Sequence, residues 1–170
     1  VKIIPDLPFT SKELHKQQFE GWGGLAFYCS IRPESSANKA LCEWATQRIR
    51  LLAKSVSVPV LATQSDTFQR IVQKSKSTIP DLLDLQLDIF SVGDNPRALS
   101  VTLRAGPTYS QAIEALNPSA AERRPRGGTL VLWERQFVAA GSAGVEFDGA
   151  ARQALDTNLM QFVSDFAEAR

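Results

Sequence analysis

The side chains in this sequence with the most chemical reach are one histidine, two cysteines, two carboxylate pairs and a cluster of three arginines. His15 is the only imidazole, so any Ser-His-Asp or Cys-His arrangement would have to use it. It stands beside Lys16 on a charged helical stretch and belongs to no motif, which reads as a solvated helix residue. Cys29 alternates with Leu25 and Phe27, and a buried thiol with no cation beside it is inert as a nucleophile. Asp84 and Asp88 share the polar side of an alternating strand, where solvated surface charge is expected; acid–base carboxylates need burial or close coupling. Glu146 and Asp148 precede the last helix and favour its positive end. Neither pair has the further oxygen ligands a cation requires. Cys29 and Cys42 form no C-x-x-C pair and stand in no Cys/His cluster, so a structural zinc site lacks its ligands. These residues predict no enzyme, no metal and no cofactor.

The most suggestive surface feature is Arg123, Arg124 and Arg126 in the Pro/Gly-rich stretch Glu122–Gly128. Guanidinium groups in such a loop clamp carboxylates or phosphates on a partner, and Tyr109 in the same excursion offers an aromatic anchor. The alternative is a solvated loop whose charge serves solubility. Nucleic acid is not expected, because the cluster has neither aromatic spacing nor a basic domain around it. Trp22, Trp44 and Trp133 read as core or its rim rather than a ligand box.

Net charge is +1, which gives no global attraction to nucleic acid or anionic lipid. The distribution is uneven: residues 1–80 hold 11 Lys/Arg against 6 Asp/Glu, and residues 81–170 hold 8 against 12, which we read as two faces of one surface. With 170 residues, 44% hydrophobic and 22% charged, the chain has the size and composition of one globular domain. No apolar run approaches the roughly 20 residues of a membrane-spanning helix. The start at Val1 fits a processed or trimmed product.

The elements that must position these residues follow from local signals. Residues 1–24 are an irregular lead-in and a first helix, with Thr10 and Glu13 as a capping box and Phe9 stapled on Leu14. Gly21-Trp22-Gly23-Gly24 lacks the spacing of a phosphate-cradling loop. Leu25, Phe27, Cys29 and Ile31 share one face of a strand that Pro33 stops. Ser35 and Ser36 introduce a helix to about Lys54, with Leu41, Ala45, Ile49 and Leu52 at helical spacing and Cys42 bordering that stripe. Both cysteines thus point toward the core, and a disulfide from strand to helix competes with two buried free thiols. Val58–Ala62 is a short strand with Pro59 at its start or on an edge, and Ser65 or Asp66 caps a short helix through Phe68, Ile71 and Val72. Residues 83–89 and 99–103 alternate as an antiparallel hairpin around Gly93-Asp94-Asn95-Pro96. An excursion over residues 106–128 carries a short helix, Thr108–Leu116, and the Arg-rich loop. A strand over residues 129–139 has apolar side chains on both faces, and a final helix from about Asp148 stacks Ala151, Leu155, Leu159, Phe162 and Phe166. The result is an α+β domain over residues 1–170: a mixed sheet of about five strands, helices mainly on one face, and an early strand–helix–strand unit suited to a parallel crossover.

This order of elements, over residues 83–170 above all, resembles small bacterial envelope domains. Those in question are periplasmic domains similar to the TolB amino-terminal domain, and auxiliary lipoproteins of ABC-type transporters. The strand Thr129–Phe137 and the closing amphipathic helix carry the resemblance. It implies a non-enzymatic envelope role in assembly or transport. The expected molecule is periplasmic or secreted, monomeric or weakly self-associating, and binds a protein partner in the envelope. A cytoplasmic interaction domain, a small-ligand carrier with its pocket between sheet and helices, and a hydrolase of unrecognised type are the alternatives.

Overall fold

Alternating apolar side chains need a second layer to cover them, and two long helices supply it. The computed structural model describes residues 2–5, 18–107 and 131–170. Six strands, β1 (Lys2–Pro5), β2 (Gly24–Arg32), β3 (Val60–Ala62), β4 (Leu82–Val92), β5 (Arg97–Gly106) and β6 (Trp133–Gly141), form one sheet in the order β1-β6-β5-β4-β2-β3. β2 is parallel to β3 and β4, and the remaining neighbours are antiparallel. The fold is therefore α+β with a mixed sheet, as the sequence implies, but with six strands. The extra one is Lys2–Pro5, part of the expected irregular lead-in, which pairs with β6. Four residues are too few to show a period, and their partners lie at the far end of the chain.

One sheet face carries Leu25 and Phe27, Leu83 to Ile89, Leu99 to Ala105, and Trp133, Phe137 and Ala139 at alternate positions. Helices α1 (Ser36–Ser55) and α3 (Val145–Ala169) cover it. Ser35 caps α1, its side chain accepting from the Asn38 amide. Leu41, Ala45, Ile49 and Ala53 are its buried stripe, and Leu52 packs partly buried beside it. α3 begins at Val145, three residues before the expected start, which places Glu146 and Asp148 in its first turn. Its stripe is the expected one, and Phe162 lies at the centre of an aromatic cluster with Phe19, Trp133 and Phe166. The two helices are joined by Arg48 and Asp156, with Nη2 to Oδ2 at 3.0 Å. That hydrogen bond raises the Arg48 pKa above its already high ordinary value.

A buried polar network fastens the ends of these helices. Asn38, fully buried, donates to Pro33 O (2.9 Å) and Ser91 Oγ (3.0 Å) and accepts from Arg97 Nη2 (2.8 Å). Arg97 donates from Nη1 to Asp148 Oδ1 (3.2 Å), so a single guanidinium links α1, β5 and the first turn of α3. Burying it is tolerable because both amino groups have acceptors.

Glycine is required where backbones meet. A Cβ at Gly23 would lie 2.1 Å from Pro80 O, so the entry to β2 runs against the segment before β4. Gly93 has a φ of +68° in the turn from β4 to β5, and a Cβ there would meet Pro96 O at 2.6 Å. The sequence places that turn correctly.

Candidate functional site

The second sheet face is covered only in part. Helix α2 (Thr67–Ser75), capped by Asp66 accepting from the Gln69 amide, lies over its β2 and β4 side. The helix is mounted by its cations. Arg70 stacks on Tyr28, its guanidinium carbon 3.9 Å from the ring centroid, and Lys74 Nζ lies 2.8 Å from Asp84 Oδ1. Phe68 and Ile71 face outward, 68% and 53% exposed. This corrects the sequence reading of Asp84 as solvated surface charge. It lies on the polar side of β4 as expected, but α2 crosses above it and leaves it 1% exposed. Asp88, two alternations further along, stays partly open.

Beyond α2 none of the described residues covers the face, and strand register arranges its side chains in rows. Tyr28, Gln86, Arg104 and Glu134 form one row. Tyr28 Oη donates to Gln86 Oε1 (2.6 Å), Gln86 Nε2 donates to Asp88 Oδ1 (2.7 Å), and Arg104 lies within ion-pair reach of Asp88 (3.4 Å) and Glu134 (3.5 Å). Ser30, Asp88, Thr102 and Gln136 form the next row. Then the character changes. Arg32, Phe90, Ser100 and Val138 align, followed by Val92, Ala98 and Ala140. Phe90, Val92 and Val138 are 52%, 53% and 42% exposed, so this end of the sheet presents an apolar surface to solvent. The strand expected over residues 129–139 begins later, at Trp133. The apolar side chain that it holds on the second face, Val138, belongs to this open surface rather than to a second core.

Cys29 Sγ and Cys42 Sγ lie at bonding distance, with Cα atoms 6.1 Å apart, and the bridge ties β2 to α1. Of the two alternatives that the sequence leaves open, this spacing suits the disulfide, which would occupy the thiol of Cys29. Replacing both cysteines with serine should lower unfolding stability by about 3 kcal/mol, because the closed loop is short. Urea titrations of the oxidised chain and the double variant measure this, and equal midpoints would count against the bridge.

Of the three tryptophans, Trp133 is buried and its Nε1 donates to Asp165 Oδ2 (3.0 Å), while Trp22 and Trp44 pack partly buried against the core. His15, Tyr109, Arg123, Arg124 and Arg126 lie outside the described residues, as do the first capping box and the Thr108–Leu116 helix. The residues flanking the excursion are described. Ala105 pairs with Trp133, so the segment between β5 and β6 leaves and rejoins the sheet at adjacent positions. Sequence reasoning missed Arg70. A cation between Gln69 and Ile71 on a short helix gives no signal of burial.

The fold and these surfaces define an α+β domain with a disulfide-linked core and one half-open sheet face. No family model matches the chain, and no curated protein matches it. Among solved structures it is similar to a dodecameric PelC variant from Paraburkholderia phytofirmans. The two share 10% identity, the match covers 94% of this chain and 95% of that one, and the TM-score is 0.49. Among the described residues no helix is long and apolar enough to cross a membrane.

Proposed function

We propose that this chain is an exported, non-catalytic domain of a cell envelope, and that it holds a protein partner against the open half of its sheet. The observation that carries the reading is the exposed apolar end of that face, where Phe90, Val92 and Val138 stand in adjacent cross-strand rows. Exposed apolar side chains bordered by polar ones mark interaction surfaces. The partner is a protein because a sheet face is flat. It gives a small molecule no concavity, whereas a protein can lay apolar side chains over Phe90 and Val138 and hydrogen-bond to Ser100, Thr102 and Gln136 beside them.

The Cys29–Cys42 bridge supports export, since bonded cysteine pairs persist in oxidising compartments such as the periplasm. Tyr109, Arg123, Arg124 and Arg126 are a second contact in the same proposal. In it the arginines meet carboxylates of the partner and Tyr109 anchors the contact.

The test is a photo-crosslinking side chain at position 138, in cells of the native host. One adduct with a second envelope protein is expected, and Phe90→Asp should remove it while leaving the thermal unfolding midpoint within a few degrees, because Phe90 is a surface residue. An adduct of twice the chain's own mass would make the face a self-interface and overturn the proposal. So would a crosslink that persists in Phe90→Asp. Replacing Arg123, Arg124 and Arg126 together should reduce the same adduct and leave the fold intact.

A further inference from the structure

We propose that the cleft between α2, the segment leading into β4 and Trp22 is a binding site for a small organic anion: one carboxylate on a flat apolar body. The cleft measures about 440 Å³, within the range of small-molecule sites. Trp22, Ile71, Ile79 and Leu82 supply its apolar lining, and Arg70 and Lys74 supply its positive charge.

Arg70 is the reason for choosing an anion. It is the buried residue of α2, only 6% exposed, although Phe68 and Ile71 on the same short helix are left in water. A helix driven by apolar burial alone would turn the other way. The guanidinium has the Tyr28 ring on one side, and its hydrogen bond among the described residues is a long one, Nη1 to Ser65 O at 3.5 Å. Nε is buried with no acceptor. None of the carboxylates among the described residues stands within ion-pair distance of it. Buried guanidinium groups are ordinarily matched by a carboxylate or phosphate, and Arg97 in this same fold shows the matched arrangement. Among the described residues none supplies the matching acceptor for Arg70, and we assign that place to a bound anion.

The charge count selects the ligand. Lys74 is neutralised by Asp84, and Asp81 is the exposed acidic residue of the lining. Arg70 is thus the cation of the lining with no carboxylate at ion-pair distance among the described residues. With Asp81 nearby the cleft carries no net positive charge, which suits a singly charged carboxylate better than a doubly charged phosphate. The planar fork of arginine matches a carboxylate with two parallel hydrogen bonds. Trp22 is partly buried with its Nε1 already donated to Gln18 O (3.3 Å), so its indole offers the ligand an apolar face and no donor. Ile79 and Leu82 extend that apolar lining.

The experiment is a titration of the full oxidised chain, followed by two-dimensional amide and indole NMR, with benzoate, benzamide and inorganic phosphate as probes. Benzoate is expected to move the Trp22 indole resonance and the amides of residues 70–82 saturably at millimolar concentrations. Benzamide and phosphate should move them weakly or not at all. Arg70→Gln should weaken benzoate about ten- to a hundredfold, the worth of charge-assisted hydrogen bonds, and Arg70→Lys should weaken it less. Ile79→Trp, which fills the cleft and keeps the arginine, should abolish binding and stands in for Arg70→Gln if that variant does not fold. Binding of benzamide as tight as benzoate would overturn the proposal, as would benzoate binding unchanged in the folded variants, or no saturable shift in this region. Phe90→Asp should leave benzoate binding unaltered, so this site and the sheet-face proposal fail separately.

Discussion

Phe162→Ala should destabilise the protein by about 3–5 kcal/mol, the range for removing a large aromatic side chain from a core that cannot collapse around the void. Phe162 is fully buried, and its ring lies 5.8 Å from Phe19, 5.1 Å from Trp133 and 5.9 Å from Phe166 between centroids. These three partners come from the segment before β2, from β6 and from one turn further along α3. None can move into the space without leaving its own contacts. The edge-on geometry against Phe19 and Trp133 adds favourable ring–ring electrostatics that alanine cannot replace. For a chain of this length the loss corresponds to a fall in midpoint on the order of 10 °C. Phe162→Leu keeps most of the volume and should cost roughly 1–2 kcal/mol. Urea unfolding under non-reducing conditions, followed by tryptophan fluorescence and far-ultraviolet circular dichroism, reads both variants. A loss below about 1 kcal/mol for the alanine variant would refute the packing of α3 on the sheet.

Lys74→Met should cost about 3 kcal/mol, and the origin of that loss can be isolated. Asp84 is 1% exposed, its Oδ1 is held by Lys74 at 2.8 Å, and its Oδ2 has no donor. Removing the ammonium leaves a buried carboxylate whose charge nothing matches, and breaking such a pair from one side costs more than the pair itself contributes. Asp84→Asn combined with Lys74→Met should therefore recover most of the loss, since it removes the stranded charge together with its partner. The double-mutant cycle is read from urea midpoints at pH 7. Equal destabilisation in the single and double variants would mean that the packing of α2, not the buried charge, sets the cost. The prediction bears on the anion cleft as well. Lys74 is already neutralised, so the double variant should keep benzoate binding.

Much of this architecture is visible in local sequence. Ser35 caps α1, the Leu41–Ala45–Ile49 stripe faces the core, and β4 and β5 alternate around Gly93 because each signal lies within a few residues of the structure it specifies. The same holds for the Cys29–Cys42 bridge. Strand alternation puts Cys29 on the covered face, and helical phase puts Cys42 beside it.

What tertiary structure alone decided is which polar faces are covered and by what. Period-two alternation tells which side of β4 a residue occupies. It cannot tell that α2 will lie across Asp84 and leave Phe90, on the same side, in water. Nor does a short helix with Phe68 and Ile71 at helical spacing announce that it will bury Arg70 instead, because that choice depends on Tyr28 and Asp84 waiting on the sheet beneath. β1 is invisible for a related reason: its pairing with β6 joins the two ends of the chain, and four residues carry no period of their own. The sequence by itself determined the longer elements, the covered face and the approach of Cys29 to Cys42, all of which follow from interactions between near neighbours. The open apolar end of the sheet and the unmatched guanidinium in the cleft were set by packing between distant segments, and they are the two features on which the proposed binding rests.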